Sequence, residues 1–303
     1  MEGNTFFYPN PLSSNAEYRF NKGAVGRQGW FDCSCCPVNI VRFLPALAGM
    51  VYAHKEDNLY VNLFVPGMGT ISITNGDVRI TQATRYPLDA KVHLTIGTAK
   101  AVPFTLRVRI PGWARGECVP ENLYRYLTRE QATPDSRPGI KLSVNGNPIP
   151  LNIESGYASI SRTWNNGDQV ELEIPMPIRR VIASEKVVTD RGRVAVERGP
   201  LVYCIEEIDN EFPIDKAILP DDASLTTRFD SDLLGGIMVI EGEGEYAVHE
   251  ESAGWQQRTA MLRLIPYYAW NHRGNGKMEV WIPRQIKTIE AANTPKEKAS
   301  SGS

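Results

Sequence analysis

The chain of 303 residues carries 33 Lys+Arg against 35 Asp+Glu, a formal charge of −2, with 42% hydrophobic and 22% charged residues. That balance is too apolar for a disordered chain and too polar for a membrane-embedded one. The densest basic groups, Arg179–Arg180 and Arg191/Arg193/Arg198, alternate with acids, so no basic face for a nucleic-acid backbone is expected.

In chain order, residues 1–32 read as irregular, with Pro9 and Pro11 among Gly, Asn and Ser, and are long for a loop inside a compact domain. The opening MEGNTFFYPN lacks the basic and apolar regions of a signal peptide, which tilts the expectation towards the cytoplasm. Residues 37–53 form the one convincing helix. Pro37 suits a first turn, and Val38, Val41, Leu44, Leu47/Ala48 and Val51 recur at three and four, with Pro45 expected to kink it. The apolar run 38–53 is broken by Arg42 and Pro45 and falls short of the roughly 20 residues of a membrane span, so no membrane partner is expected.

After His54 the texture changes to short alternating runs at 59–65, 70–73, 78–86, 91–96 and 104–110. An Asn-Gly-type turn joins 140–145 to 148–153 as a hairpin, and 157–164 with 169–174 reads as a second hairpin. Further strands are expected at 193–197, 201–208, 237–241, 259–266 and 278–282. Segments 112–138 and 209–232 read as polar, turn-rich insertions. The pattern predicts a mainly β chain of one or two β-sandwich, jelly-roll-like domains. The expected division is 1–55, 56–185, 186–290 as a second sandwich or strand-rich continuation, and a disordered tail 291–303.

Five cysteines, Cys33, Cys35, Cys36, Cys118 and Cys204, are an odd count with three packed into four positions. That is no disulfide framework; it reads as thiols held for metal or catalysis. If Pro37 is the first helical residue, Cys36 is the cap and Cys35 lies just before it. A helix start offers free N–H donors and about half a positive charge, which favours thiolate over thiol. Adjacent cysteines can also both reach one soft ion such as zinc. The competing reading, small residues buried in a turn, stays open at this point. As a zinc site the cluster is incomplete, because Cys118 and Cys204 have no C-x-x-C partner and His54, His93, His249 and His272 are isolated.

Other candidates are weaker. No G-x-S-x-G, P-loop or H-E-x-x-H occurs. Carboxylates at Glu206–Glu207 or Glu241–Glu245 could serve glycoside chemistry but read better as solvated charge. Trp113, Trp164, Trp255, Trp270 and Trp281 could stack sugars, although sandwich cores use tryptophan freely. Asp32 could orient a ligand or make the turn.

The run F-x-C-x-C-C-P-x-N at 31–39, followed by a helix, resembles glycoside hydrolase family 127, the β-L-arabinofuranosidase family. L-Y-V-N-L-F at 59–64, R-I-P-G-W-A at 109–114, R-G-P-L-V-Y-C at 198–204 and P-Y-Y-A-W-x-x-R-G at 266–274 follow in family order. The resemblance implies an (α/α)6 barrel followed by β-sandwiches, of which this chain looks like the C-terminal part, helix 37–53 being the last of a truncated barrel. It implies a cysteine thiolate that attacks the anomeric carbon of a furanoside, a covalent glycosyl-enzyme, hydrolysis with retention, and zinc holding the thiolate. Cys35 matches the nucleophile and a zinc ligand, Cys36 matches a second zinc ligand, and Cys33 matches a position near the site without an assigned role. The family's other ligands, a Glu and a Cys in an E-x-C motif, and its acid/base Glu have no counterpart here. The chain is therefore expected to be inactive alone. The implied partner is an L-arabinofuranoside-containing glycan, with a homodimer left open. The alternatives are a non-catalytic carbohydrate-binding or structural sandwich module, and a thiol or metal sensor built on 33–36.

Overall fold

The computed structural model describes the whole chain except Ser34, Val119, Glu121, 128–138 and 294–303. The chain is mainly β, and among the described residues its strands form three sheets. Two of these face each other. One holds, in order, Asn147–Pro148, Lys141–Val144, Gln169–Glu173, Lys91–Thr98, Gly76–Thr84 and Gly67–Ile73. The other holds Ile153–Glu154, Tyr157–Trp164, Val102–Arg109, Asn58–Val61 and Tyr52–Lys55, with Asn58–Val61 and Val102–Arg109 parallel. Successive side chains of a strand point to opposite faces. Val78/Ile80, Val92/Leu94/Ile96, Val102/Phe104/Leu106/Val108 and Val170/Leu172 therefore close into one core, while the residues between them face outward. Trp164 is fully buried there, and its Nε1–H donates to the Phe104 carbonyl at 3.1 Å.

The third sheet is larger and curled. Its main path runs Ala217–Ile218, Ile237–Glu250, Gly254–Pro266, Leu201–Glu206, Arg193–Arg198, Ile178–Ala183 and Tyr124–Tyr126. Both faces are covered at its centre. Val194, Val196, Tyr203, Ile205 and Leu264 enter one core, while their neighbours Ala195, Cys204 and Ile265 enter another. That is why the sequence runs continuously apolar at these strands instead of alternating.

Several expectations are corrected. The predicted helix 37–53 is an α-helix over Cys35–Ala46 that tightens into a 3₁₀ turn over Leu47–Met50 and gives way to strand Tyr52–Lys55. Pro45 has no N–H to give and its ring clashes with the carbonyl four residues back, so the α-ladder ends one residue later. At the other end, Cys35 and Cys36 are helical rather than capping, and Pro37 sits in the first turn, where a missing N–H costs nothing. The predicted hairpin 157–174 does not form. Its two strands lie in opposite sheets, because the Ile96 N–H donates to the Asp168 carbonyl and the Gly167 N–H to the Ile96 carbonyl, at 2.8 and 2.7 Å. The connection is thereby held on strand Lys91–Thr98, across the sandwich from Tyr157–Trp164. The hairpin at Asn145–Gly146 forms as expected, with Val144 opposite Asn147. Strand Leu225–Asp230 lies within the segment read as an insertion, and a short helix, Ile286–Asn293, enters the segment read as a tail; the tail's last residues lie outside the described ones.

The irregular first segment is docked on the third sheet. Ser13–Ser14 pairs with Met278–Glu279, and the Val280 N–H donates to the Leu12 carbonyl at 2.9 Å. Phe7 stacks on the fully buried Trp270 with ring centroids 4.5 Å apart, and Phe20 lies 5.9 Å from it. Arg27 donates from Nε to the Trp270 carbonyl and from Nη2 to the Tyr268 carbonyl, at 2.9 and 3.0 Å. Mutual backbone bonds between Phe6 and Gln28, and the buried Asn21 amide bonding Phe6 and Gly26 carbonyls, close the segment into a loop. No helix among the described residues is long and apolar enough to cross a membrane.

Candidate active site at a helix start

The loop delivers Tyr8 to the start of helix Cys35–Ala46. The Tyr8 N–H is fixed by the Asn21 side chain at 2.7 Å, and its ring meets the buried Phe31 edge-on at 5.5 Å. Its hydroxyl then lies 3.4 Å from Cys35 Sγ and 3.6 Å from Cys33 Sγ. Those two sulfurs are 3.3 Å apart, and Cys36 Sγ is 3.8 Å from Cys35 Sγ. The hydroxyl's pKa is raised, first by its hydrogen bond to Cys35 and then by those to Cys36 and Cys33, so it stays a donor at neutral pH. All three thiols are free and exposed. The structure thus places Cys33, Cys35 and Cys36 together, and the alternative of thiols buried in a turn is excluded for them. Cys118 is half-buried and Cys204 is buried; burial pushes both thiols up, and neither joins the cluster.

Two sulfurs about 2.3 Å from one tetrahedral zinc stand about 3.8 Å apart, so the Cys35–Cys36 separation suits a shared ion. Cys33 stands closer to Cys35 than that spacing. Among the described residues no three or more His, Cys, Asp or Glu side chains are arranged as a metal site. Among the described residues, Cys35 and Cys36 are the two donors whose spacing suits one ion. Tyr8 was not singled out from sequence, since nothing in the run F-F-Y-P-N sets it apart from Phe6 and Phe7; only the docked loop brings it to the sulfurs.

The helix that carries the cysteines has no buried residue: Val38, Ile40, Val41, Phe43 and Leu44 are all exposed, Val41 to 67%. A contiguous apolar patch of this kind marks an interface. The other candidates disperse. Glu206 is not solvated charge: it is 1% exposed, receives Arg273 Nη2 at 2.6 Å and accepts from the Asn271 N–H at 3.1 Å. Arg273 also binds Asp209, so the run 266–274 is pinned to strand Leu201–Glu206 by a buried ion network. Burial raises the Glu206 pKa and Arg273 pulls it back. Cavities of about 610 and 500 Å³ lie on the third sheet around Tyr246–Arg263 and Asp221–Arg284, and neither reaches the cysteines.

The chain thus joins a β-sandwich to a second β unit and carries an exposed cysteine trio at the start of an uncovered helix. Residues 58–176 match the family model described as "Beta-L-arabinofuranosidase, GH127 middle domain", and residues 178–283 match "Glycoside hydrolase family 127 C-terminal domain". The chain belongs to glycoside hydrolase family 127 and corresponds to its C-terminal portion. It is 30% identical to the non-reducing end beta-L-arabinofuranosidase of Bifidobacterium longum subsp. longum, over 94% of this chain and 43% of the relative. A solved GH127 beta-arabinofuranosidase superposes with a TM-score of 0.85 at 40% identity, covering 94% of this chain and 43% of the other. A GH127 beta-L-arabinofuranosidase from Geobacillus stearothermophilus T6 gives 0.78 at 36% identity, over 93% and 43%. The chain thus spans less than half the length of these relatives.

Proposed function

We propose that Cys35 is the nucleophile of a retaining β-L-arabinofuranosidase acting on an L-arabinofuranoside-containing glycan, that Cys35 and Cys36 share a zinc ion, and that this chain by itself gives no turnover. The observation that carries the reading is the exposed Cys35 sulfur standing between the Tyr8 hydroxyl and two further thiols at a helix start. The names of the family models and relatives support the substrate class. The uncovered apolar face of helix Cys35–Ala46 supports a further helical layer there, as an (α/α)6 barrel would supply.

In this reading the Cys35 thiolate attacks the anomeric carbon. The C–S bond forms as the glycosidic C–O bond breaks, and the leaving oxygen takes a proton from a carboxylic acid. Water then attacks the same carbon from the opposite side, the sulfur leaves, and the configuration is retained overall. The Tyr8 hydroxyl lies 3.4 Å from the Cys35 sulfur and donates to it once that sulfur is the thiolate. Zinc, when bound, supplies positive charge that favours the thiolate. The family positions for the acid/base and the two remaining zinc ligands have no counterpart here, so protonation of the leaving oxygen and full coordination both fail in the isolated chain.

The test is zinc content and hydrolysis of 4-nitrophenyl β-L-arabinofuranoside by the chain, with Cys35→Ala and Cys36→Ala beside it. Weak zinc binding lost in both variants, with no turnover, supports the reading. Zinc uptake indifferent to both substitutions refutes the metal assignment. Robust turnover lost on Cys35→Ala refutes the claim of inactivity but keeps the nucleophile, and turnover that survives Cys35→Ala refutes the nucleophile.

A further inference from the structure

Cys33 is the one thiol of the cluster that hydrolysis leaves without a task. It is free and exposed, and its Sγ lies 3.3 Å from Cys35 Sγ, nearer than Cys36 Sγ at 3.8 Å. Two sulfurs joined in a disulfide stand about 2.05 Å apart. The Cys33–Cys35 pair is therefore roughly 1 Å short of bonding distance, which side-chain rotation can supply.

Cys36 cannot take the place of Cys33. Adjacent Cα atoms are about 3.8 Å apart across a trans peptide, below the roughly 4.4–6.8 Å that a disulfide spans, whereas positions two apart reach that range. The docked loop favours the same pair. The Tyr8 hydroxyl lies 3.6 Å from Cys33 Sγ and 3.4 Å from Cys35 Sγ. One donor thus faces both sulfurs and can stabilise whichever carries the negative charge while bonds are exchanged.

We propose that Cys33 is a resolving cysteine, which closes a reversible disulfide with Cys35 when a low-molecular-mass disulfide such as oxidised glutathione reaches the cluster. The Cys35 thiolate attacks one sulfur of the incoming disulfide. Its S–S bond breaks, one thiolate leaves, and a mixed disulfide remains on Cys35. Cys33 gives its proton to solvent, attacks the Cys35 sulfur and expels the second thiolate. The two cysteines lose two electrons and two protons, and the incoming disulfide is reduced to two thiols. The bridge needs no sugar chemistry. Its consequence rests on the function proposed above: it occupies the sulfur assigned to attack and to zinc, so it turns that site off until a thiol reductant reopens it.

The test uses the full chain, freed of metal with a chelator and exposed to oxidised glutathione, with disulfides mapped by mass spectrometry after alkylation of the remaining thiols. A Cys33–Cys35 bridge with Cys36 alkylated is expected, fully reversed by dithiothreitol. Cys36→Ser should bridge as the parent does. Cys33→Ser should stop at a glutathione adduct on Cys35, at least about tenfold longer-lived than in the parent. A bridge through Cys36, an adduct that persists in the parent, or equal adduct lifetimes in the parent and Cys33→Ser overturns the proposal. The thiols are exposed, so both substitutions leave the packed cores untouched. No readout involves zinc or turnover. Failure of the nucleophile or zinc assignment therefore leaves the bridge standing, and failure of the bridge leaves those assignments as they were.

Discussion

Phe7→Ala isolates the docking that positions the cysteines. The Phe7 ring is half-buried, stacks on Trp270 at 4.5 Å with planes 21° apart, and carries the Arg27 guanidinium 4.4 Å from its centroid. Half-burial of a phenylalanine is worth about 1–1.5 kcal/mol. The offset stack adds about 1 kcal/mol, and the cation–π contact about 0.5–1 kcal/mol. Their loss lowers the free energy of opening the segment by about 3 kcal/mol, roughly a hundredfold in the opening equilibrium. Native-state hydrogen exchange reads this directly. The Phe6 and Gln28 amides bond each other's carbonyls, and the Val280 amide bonds Leu12. All three should exchange about a hundredfold faster in the variant, while amides of strand Lys91–Thr98, in the other core, keep their rates. Unchanged protection at Phe6 and Gln28 would refute the docking argument, and an equal loss at Lys91–Thr98 would show that the segment does not open independently.

Arg273→Ala strands Glu206 and Asp209 as uncompensated, largely buried carboxylates, and chemical denaturation should show a loss of about 3–5 kcal/mol that shrinks as falling pH protonates Glu206. Burial pushes Glu279 up to about 7, with Arg193 pulling it down and Asp215 raising it. Because the folded value exceeds the ordinary 4.5, stability is highest below about 4.5 and is lost as pH rises towards 7; Glu279→Gln should remove that slope and melt higher than the parent at pH 8, by up to about 3 kcal/mol. Disulfide-exchange titration should count three fast thiols, Cys33, Cys35 and Cys36, then a slow Cys118, with Cys204 reacting only on unfolding; a fast Cys204 would contradict its burial. Val41→Asp should leave folding within about 0.5 kcal/mol in chemical denaturation, because the helix buries nothing; a large loss of stability would show that the helix is packed.

The period-two runs made the first sandwich legible, because each strand has one buried and one outward face and Val, Ile and Phe fall on alternate positions. The same logic hid the crossing between Tyr157–Trp164 and Gln169–Glu173. Alternation says which face is buried and not which neighbour is paired, and the choice is made by Asp168 and Gly167 bonding a strand some 70 residues earlier. Strand Ile178–Ala183 escaped because Arg179 and Arg180 look solvated. In the structure Arg179 is spent on the Trp113 carbonyl and Arg180 on the carbonyls of Asp221 and Ala223. Glu206 misled for the same reason, since its partner Arg273 is 67 residues away. At the candidate site the three thiols and the helix start were readable from spacing alone. Tyr8 was not, since it reaches the sulfurs through contacts with Asn21, Phe31 and, by way of Phe7, Trp270.

That last chain of contacts links the second β unit to the cysteine cluster. Trp270 supports Phe7 and Phe20; Arg27 grips the backbone on either side of Ala269; and the Arg273 network holds the same turn against strand Leu201–Glu206. Without that surface the loop 6–28 would keep its own backbone bonds but lose the apolar support that fixes its orientation, and the Tyr8 hydroxyl would have no reason to lie within 3.4 Å of Cys35. In the role proposed for Cys35, attack on one carbon gains from a partner fixed to within a fraction of an ångström. The sheet that contributes no cysteine to the cluster therefore supports the loop that sets Tyr8 against Cys35, and perturbations at Trp270 or Arg273 reach Cys35 through Tyr8, not through the helix.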